Sequence, residues 1–449
     1  MAMLIGVGGT GQHIALAASR LVHLGALPPL ETFILDADDG SELTRALTSF
    51  GGTGSPSDHP FRSLEFLPPI SAEEARDKRF SDLFLRQASA EEHELFEAMF
   101  DGASAKVAVE HGMYGNPAVG ATVFATTAGQ KVEALLARAA TTEAILVGGS
   151  FVGGTGAGVT HQLLRRLNER SCAEKTWLAA LMPWHQPDRP VDSAAPLHEE
   201  SMAANMRFGV DYLYYGSRRF AQGVCLLGVP SDGAAKLGAA KVQVGGNREY
   251  PHLFHAYACH YFQKAPGDRV TIDNPHAVFT YLWDPDRALW LMDQPWAGGH
   301  SLRWYLQRAS GVKAVIDYLR TSKVSDELAD SFGWFGGAKK DTYNLALWQS
   351  IKDNVVQGKP KALAEEVLAQ LDTERRRIDF CLDWARGLFG ELPAHPEVKR
   401  YQEDPVAWTR EVATAAIGPD PAGRHRDARQ IARHFLDQTR DWFGRRLGA

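Results

Sequence analysis

The feature that most constrains this chain is one stretch, Glu143–Val159, reading EAILVGGSFVGGTGAGV. Four apolar residues, Ala144–Val147, run directly into Gly148–Gly158, where six of eleven residues are glycine. A short apolar run reads as a buried strand. A turn into a helix needs one or two glycines, so six point to something beyond a turn. A backbone that wraps phosphates needs its N–H groups turned inward, free of obstructing side chains. A helix beginning there adds the positive end of its dipole. Within Gly153-Gly154-Thr155-Gly156-Ala157-Gly158, glycine permits close approach, Thr155 adds a hydroxyl, and Thr160 is expected to begin the helix.

A second glycine loop, Gly6-Val7-Gly8-Gly9-Thr10-Gly11, follows the apolar run Met3–Val7. Asp36 lies 25 positions beyond Gly11, at the end of the next apolar run. Alone, this matches the dinucleotide-binding fingerprint, in which an acid about 20 residues downstream holds a ribose. A dehydrogenase of that kind has no need of the loop at Gly153–Gly158. A third segment, GMYGNPAVGA at Gly112–Ala121, places the turn signal Asn116-Pro117 between glycines. Three such segments, each where a strand could end, can surround one nucleotide.

The pattern along the chain predicts strands at Met3–Val7, Glu31–Leu35, Ile145–Val147, Trp177–Met182 and Tyr212–Tyr215, with a short one at Lys106–Val109. Helices are expected over Gln12–Leu24, Ala121–Arg138 and Thr160–Asn168. Strands alternating with helices predict an α/β fold with a parallel sheet covered on both faces. Ligands bind at the carboxyl ends of such strands. Gly51–Pro60, Pro183–Pro196 and Pro230–Gly246 read as surface loops. After Trp283 the texture changes. Pro360–Leu392 and Arg424–Leu447 repeat apolar residues at the helical period, so the carboxyl-terminal region is expected to be mainly helical. The last of these helices, with seven arginines and three aspartates, reads as docked, with a solvated basic face as a possible protein contact.

The 449 residues exceed one ordinary core and predict at least two domains. The net charge of −6 gives no reason to expect nucleic acid as the main partner. Cys172, Cys225, Cys259 and Cys381 form no metal-ligand spacing and read as reduced thiols. No apolar run reaches the roughly 20 residues that span a bilayer, and the opening MAMLIGVGGTG lacks the basic flank of a secretory signal. A cytoplasmic protein without membrane insertion is the expectation.

With these residues in view, the chain resembles the tubulin and FtsZ superfamily, and within it the bacterial tubulin-like proteins. GGTGAG at Gly153–Gly158 is similar to the superfamily's signature loop, and Gly6–Gly11 sits where its first glycine loop sits. DADD at Asp36–Asp39 matches the place of the second loop, and GNPAVGA at Gly115–Ala121 looks like the segment around the terminal phosphate. The order agrees from residue 3 to about residue 217, through TWLAALMPW and VDYLYYGS.

This resemblance implies a GTPase-type domain over 1–248, a central helix over 249–265, a second domain over 266–345 and a helical region over 346–449. It implies GTP or GDP with Mg²⁺, held by Gly8, Gly9, Thr10, Gly11, Gln12, Asp36, Asp38, Gly115, Asn116, Pro117 and Gly153–Gly158, with Glu199 at the ribose. It implies that an acid on one subunit activates water at the next subunit's phosphate. Asp273 or Asp268 could serve, or, in another alignment, Glu249 with His252. His252 and His255, three residues apart, lack further ligands for a metal site.

Three readings follow. The first is a GTPase that self-assembles head to tail. The second is a nucleotide-binding scaffold or sensor without hydrolysis, suggested by Gly216-Ser217-Arg218, where FtsZ has a base-contacting asparagine nearby. The third is an NAD-binding oxidoreductase.

Overall fold

The computed structural model describes residues 2–36, 42–51, 61–66, 76, 78–85, 88–100, 102–107, 109, 116–127, 129–151, 153–181, 185–187, 204–205, 207, 209, 221, 223–228, 235–237, 253, 256, 278–282, 291–321, 360–403 and 428–447. The elements begin with β1 (Ala2–Val7), α1 (Gly8–Leu24), β2 (Leu30–Leu35), α2 (Glu42–Gly51) and β3 (Phe61–Phe66). Five helices follow: α3 (Phe80–Leu85), α4 (Ala90–Met99), α5 (Gly102–Ala105), α6 (Pro117–Thr127) and α7 (Gly129–Ala140). Then come β4 (Ala144–Ser150), α8 (Gly154–Glu169), β5 (Thr176–Leu181), β6 (His185–Pro187), β7 (Gly223–Gly228), β8 (Ala235–Leu237) and β9 (Val278–Leu282).

Among the described residues, seven strands form one sheet in the order β3-β2-β1-β4-β5-β7-β9, and every pairing in it is parallel. The expected α/β fold with a parallel sheet is thus the observed one. Both faces are covered, which explains why β1 and β4 are apolar almost throughout. On one face, Met3, Ile5, Val7, Phe33, Leu35, Ile145, Val147 and Leu178 share a core with Val132, Leu135 and Leu136 of α7 and Leu163, Leu164 and Leu167 of α8. On the other, α1 lies against the pair Gly6 and Gly148, which are register partners across β1 and β4. A Cβ on Gly11 would come within 2.6 Å of the Gly6 Cα, and Ile14 sits over Gly148.

Chain order reverses between β1 and β4. From β1 the chain moves to β2 and β3 on one side, and from β4 to β5, β7 and β9 on the other. The carboxyl ends of β1 and β4 are therefore the switch point at which open parallel sheets bind ligands.

Local differences from the sequence expectations have physical causes. The glycine runs lie in the first turns of α1 and α8, which start at Gly8 and Gly154, not at Gln12 and Thr160. Packing against neighbouring backbone outweighs the helix cost of glycine, about 1 kcal/mol each. The helix expected over Ala121–Arg138 is two helices, α6 and α7. Lys106–Val109 does not join the sheet. Val107 accepts from the Phe80 N–H at 2.8 Å, and the Val109 N–H donates to Lys78 at 3.3 Å, closing a small bridge. That bridge lies beside a satellite core of Phe80, Phe96, Phe100, Val107, Val109, Val119 and Val123. Phe61–Phe66, Gly223–Gly228 and Val278–Leu282 are sheet strands that the sequence pattern did not mark. The Tyr212–Tyr215 strand lies outside the described residues, as does most of the central-helix candidate, of which Leu253 and Ala256 are described and buried.

The chain divides into two compact units, one of 1–23 and 27–291, the other of 24–26 and 292–449. In the second, α9 (Leu302–Thr321), α10 (Pro360–Phe389) and α12 (Ala428–Arg446) pack together, with the short α11 (Pro396–Glu403) against α9. Their apolar stripes meet through Val312, Ile316, Leu371, Ile378, Leu382, Phe435 and Phe443. Arg375 of α10 pairs with Asp379 at 2.8 Å and Asp372 at 3.2 Å, and reaches Asp317 of α9 at 3.8 Å. Among the described residues, no helix is long and apolar enough to cross a membrane. Cys172, Cys225 and Cys381 are buried, and burial pushes the Cys225 thiol up to about 12. Cys259 lies outside the described residues.

Candidate functional site

The site is built where α1, α6 and α8 begin. β1 delivers the chain to Gly8, whose φ of +65° is the left-handed conformation that favours glycine. A Cβ there would also stand 3.1 Å from the Gly156 nitrogen and 3.6 Å from the Thr155 Cβ. The first turns of α1 and α8 are therefore in contact across the switch point.

The third segment joins from the other side of α8. A Cβ on Gly120 of α6 would lie 2.3 Å from the Gly154 carbonyl oxygen. One on Gly158 would lie 2.2 Å from the Pro117 carbonyl oxygen and 2.6 Å from the Ala121 nitrogen. α6 and α8 thus meet backbone to backbone. The three glycine-bearing segments that lie far apart in sequence come together around the start of α8.

α8 is left ready to donate. Its first intrahelical bond runs from the Ala157 N–H to Gly153 at 2.8 Å, so the amides of Gly154, Thr155 and Gly156 are not used within the helix. Gly153, at the cap position, supplies no side-chain hydrogen bond to them. Such an amino terminus suits an anion, by its amides and by its dipole.

Two glycines of these segments differ from their neighbours there. Gly6, Gly8, Gly11, Gly120, Gly156 and Gly158 are packed so closely that a Cβ would strike neighbouring backbone. Gly9 and Gly153 would present a Cβ to open space, with nothing within 4 Å. Gly153 has φ −81° and ψ 152°, which any residue adopts. Packing does not require glycine at these two positions, whereas close approach of a ligand would.

Asp36 follows β2 and is buried. Its carboxylate accepts from the Gln12 Nε2 at 2.7 Å, and the Gln12 Oε1 accepts from the Thr44 hydroxyl at 2.9 Å. The chain Thr44–Gln12–Asp36 ties α2, α1 and the end of β2 together. Deeper in α8, His161 stacks on Phe151, with ring centroids 5.3 Å apart. Burial lowers its pKa to about 4, so the imidazole is neutral near pH 7.

Of the residues singled out from the sequence, Gly8, Gly9, Thr10, Gly11, Asn116, Pro117 and Gly153–Gly158 fall in the converging first turns or their caps. Gln12 and Asp36 are hydrogen-bonded to each other next to them. Asp38, Gly115, Glu199, Glu249, His252, Asp268 and Asp273 lie outside the described residues. The sequence pattern did not mark Thr44 or Ser104, the second of which holds Asn116. Single hydroxyls in polar surroundings carry no periodic signal. No protein-family model matches the chain, and no curated protein matches it.

Proposed function

We propose that the chain is a cytoplasmic nucleotide-binding protein of the tubulin/FtsZ type. It would bind GTP or GDP against the first turns of α1, α6 and α8, and hydrolyse GTP during head-to-tail self-assembly. The observation that carries this reading is the meeting of three separate glycine-bearing segments at the carboxyl ends of β1 and β4. A polyphosphate is a compact, highly charged ligand, and preorganised amides at helix starts are the groups that bind it without side-chain entropy cost.

The open faces at Gly9 and Gly153 give phosphate oxygens room to reach the backbone. Thr10 and Thr155 add hydroxyl donors in the same turns. A Mg²⁺ would be held mainly by the nucleotide's own phosphate oxygens, with one or two carboxylates. When bound, it would neutralise charge building on the transferred phosphoryl group. Asp273, Asp268 or Glu249, supplied by a neighbouring subunit, would orient the attacking water. Loss of the terminal phosphate would then weaken the joint between subunits.

A scaffold that binds nucleotide without hydrolysing it uses the same phosphate site, and the catalytic acids separate the two. The dinucleotide reading has less support. α6 adds a third helix start that a dinucleotide does not require.

The function is tested by phosphate release and by light scattering and pelleting with GTP and with GDP. Release and assembly with GTP, lower with GDP, support the GTPase. Tight binding without release by the unmodified chain selects the scaffold. Equal, low scattering with both nucleotides removes the assembly claim.

A further inference from the structure

Asn116 is assigned to the nucleotide together with Gly115 and Pro117 of the third segment, yet its side chain is committed elsewhere. Its Oδ1 accepts the Val119 N–H at 3.2 Å, and its backbone carbonyl accepts the Gly120 N–H at 3.1 Å. Pro117, in the first position of α6, brings no N–H. α6 is therefore a capped helix, unlike α8, and has little donor capacity left for a ligand.

The orientation of the Asn116 amide is set from its other end. Its Nδ2 donates to the Ser104 Oγ at 2.6 Å. Val119 N–H can only donate, so the amide must present its oxygen to α6 and its nitrogen to Ser104. The Ser104 carbonyl in turn accepts the Val107 N–H at 3.3 Å, at the edge of the satellite core. α6 is thus located from two directions: by Ser104 through Asn116 at its cap, and by Gly120 and Pro117 against the first turns of α8.

We propose that Ser104 is a positioning residue for the phosphate site. Through Asn116 it fixes the start of α6 as the third wall beside the α8 amides, and Asn116 contributes placement and dipole in place of a direct bond to the nucleotide. This assignment rests on the polyphosphate-binding reading. It names a residue outside all three glycine segments as a determinant of affinity.

Calorimetry with GTP and Mg²⁺, and separately with inorganic tripolyphosphate, tests it on the full chain. The variants are Ser104→Ala, Ser104→Thr and Asn116→Asp, each with a melting temperature. Ser104→Ala is expected to weaken both ligands about three- to tenfold, and Ser104→Thr to restore most of the affinity. Asn116→Asp is the sharper variant. Aspartate caps a helix as well as asparagine, so the melting temperature should hold or rise. The added charge beside the phosphates should lower affinity at least tenfold, most strongly at low salt. A purely structural cap would not separate affinity from stability in this way. Affinities of Ser104→Ala and Asn116→Asp within twofold of the unmodified chain would overturn the assignment, as would losses that merely follow falling melting temperatures. If the unmodified chain binds neither ligand, the polyphosphate reading itself fails, which is a different result.

Discussion

Gly120 and Gly154 touch through their backbones: a Cβ on the first would stand 2.3 Å from the carbonyl oxygen of the second. Contact this close makes α6 and α8 one rigid piece near their starts. Gly158 repeats the arrangement one turn on, against Pro117. Gly120→Ala and Gly158→Ala must push the helices apart or distort them. Each should cost roughly 1–3 kcal/mol, the usual penalty for overpacking a tight interior. Urea unfolding checks this, and unchanged stability in both variants would show that the helices are not so closely seated.

Gly9 and Gly153 should behave in the opposite way. Neither is needed by packing, and Gly9 lies in the first turn of α1. Gly9→Ala should leave stability unchanged or raise it by up to about 1 kcal/mol. Gly153→Ser should hold stability or raise it by roughly a few tenths of a kcal/mol, because serine caps α8 slightly better than glycine. Its hydroxyl would then occupy an amide that the ligand needs. Both variants should bind nucleotide at least tenfold more weakly while folding as well as the parent. Calorimetry and thermal melting, run side by side, separate the two effects.

How much of this was legible in the sequence depends on the signal each part carries. β1 and β4 are apolar runs ending in glycine, so both strands and the site at their ends could be read directly. Strand Phe61–Phe66, FRSLEF, mixes arginine, serine and glutamate with its apolar residues. Among the described residues it is an edge strand paired with β2, so it need not be apolar throughout. The start of α8 was misplaced because Gly153, Gly154, Gly156 and Gly158 argue for a loop on propensity alone. The helical conformation from Gly154 onward is supported by Gly8, Gly120 and Pro117, which approach from elsewhere in the chain. Ser104 was invisible for the same reason: its role exists only once Asn116 folds onto it.

His161 gives a pH prediction with a definite sign. Burial holds its pKa at about 4, below the ordinary value of 6.5, so the folded state resists the proton that the unfolded state accepts. Its contribution is fully present above about pH 6.5 and is lost as pH falls toward 4. Between pH 7 and pH 5 this amounts to about 2 kcal/mol. His161→Phe keeps an aromatic ring against Phe151 and removes the titration. Its unfolding free energy should therefore fall less over that interval than the parent's. Equal pH dependence in the two proteins would contradict the burial.

His395 acts similarly in the helical unit. Its Nδ1 accepts the Glu397 N–H at 3.0 Å, so the Nε2–H donates to the Phe443 carbonyl at 3.1 Å. Burial, above all, pushes its pKa down, while the Phe443 bond and Glu397 oppose that and Arg446 adds to it. Protonation at Nδ1 would set two donors face to face at the start of α11. His395→Ala should destabilise this unit by roughly 1–3 kcal/mol through the unsatisfied groups it leaves. Acid should loosen α11 in the parent, and hydrogen exchange pulsed at one fixed pH after incubation at pH 7 or pH 5 reads both effects.

The central claim is that one polyphosphate sits against the first turns of α1, α6 and α8. Calorimetric titration of the purified chain with GTP, GDP, guanosine and NAD, all with Mg²⁺, tests it most directly. The account predicts binding that strengthens from guanosine through GDP to GTP, with NAD weaker than either nucleotide. Affinity independent of phosphate number, or binding of NAD without GTP, would contradict it.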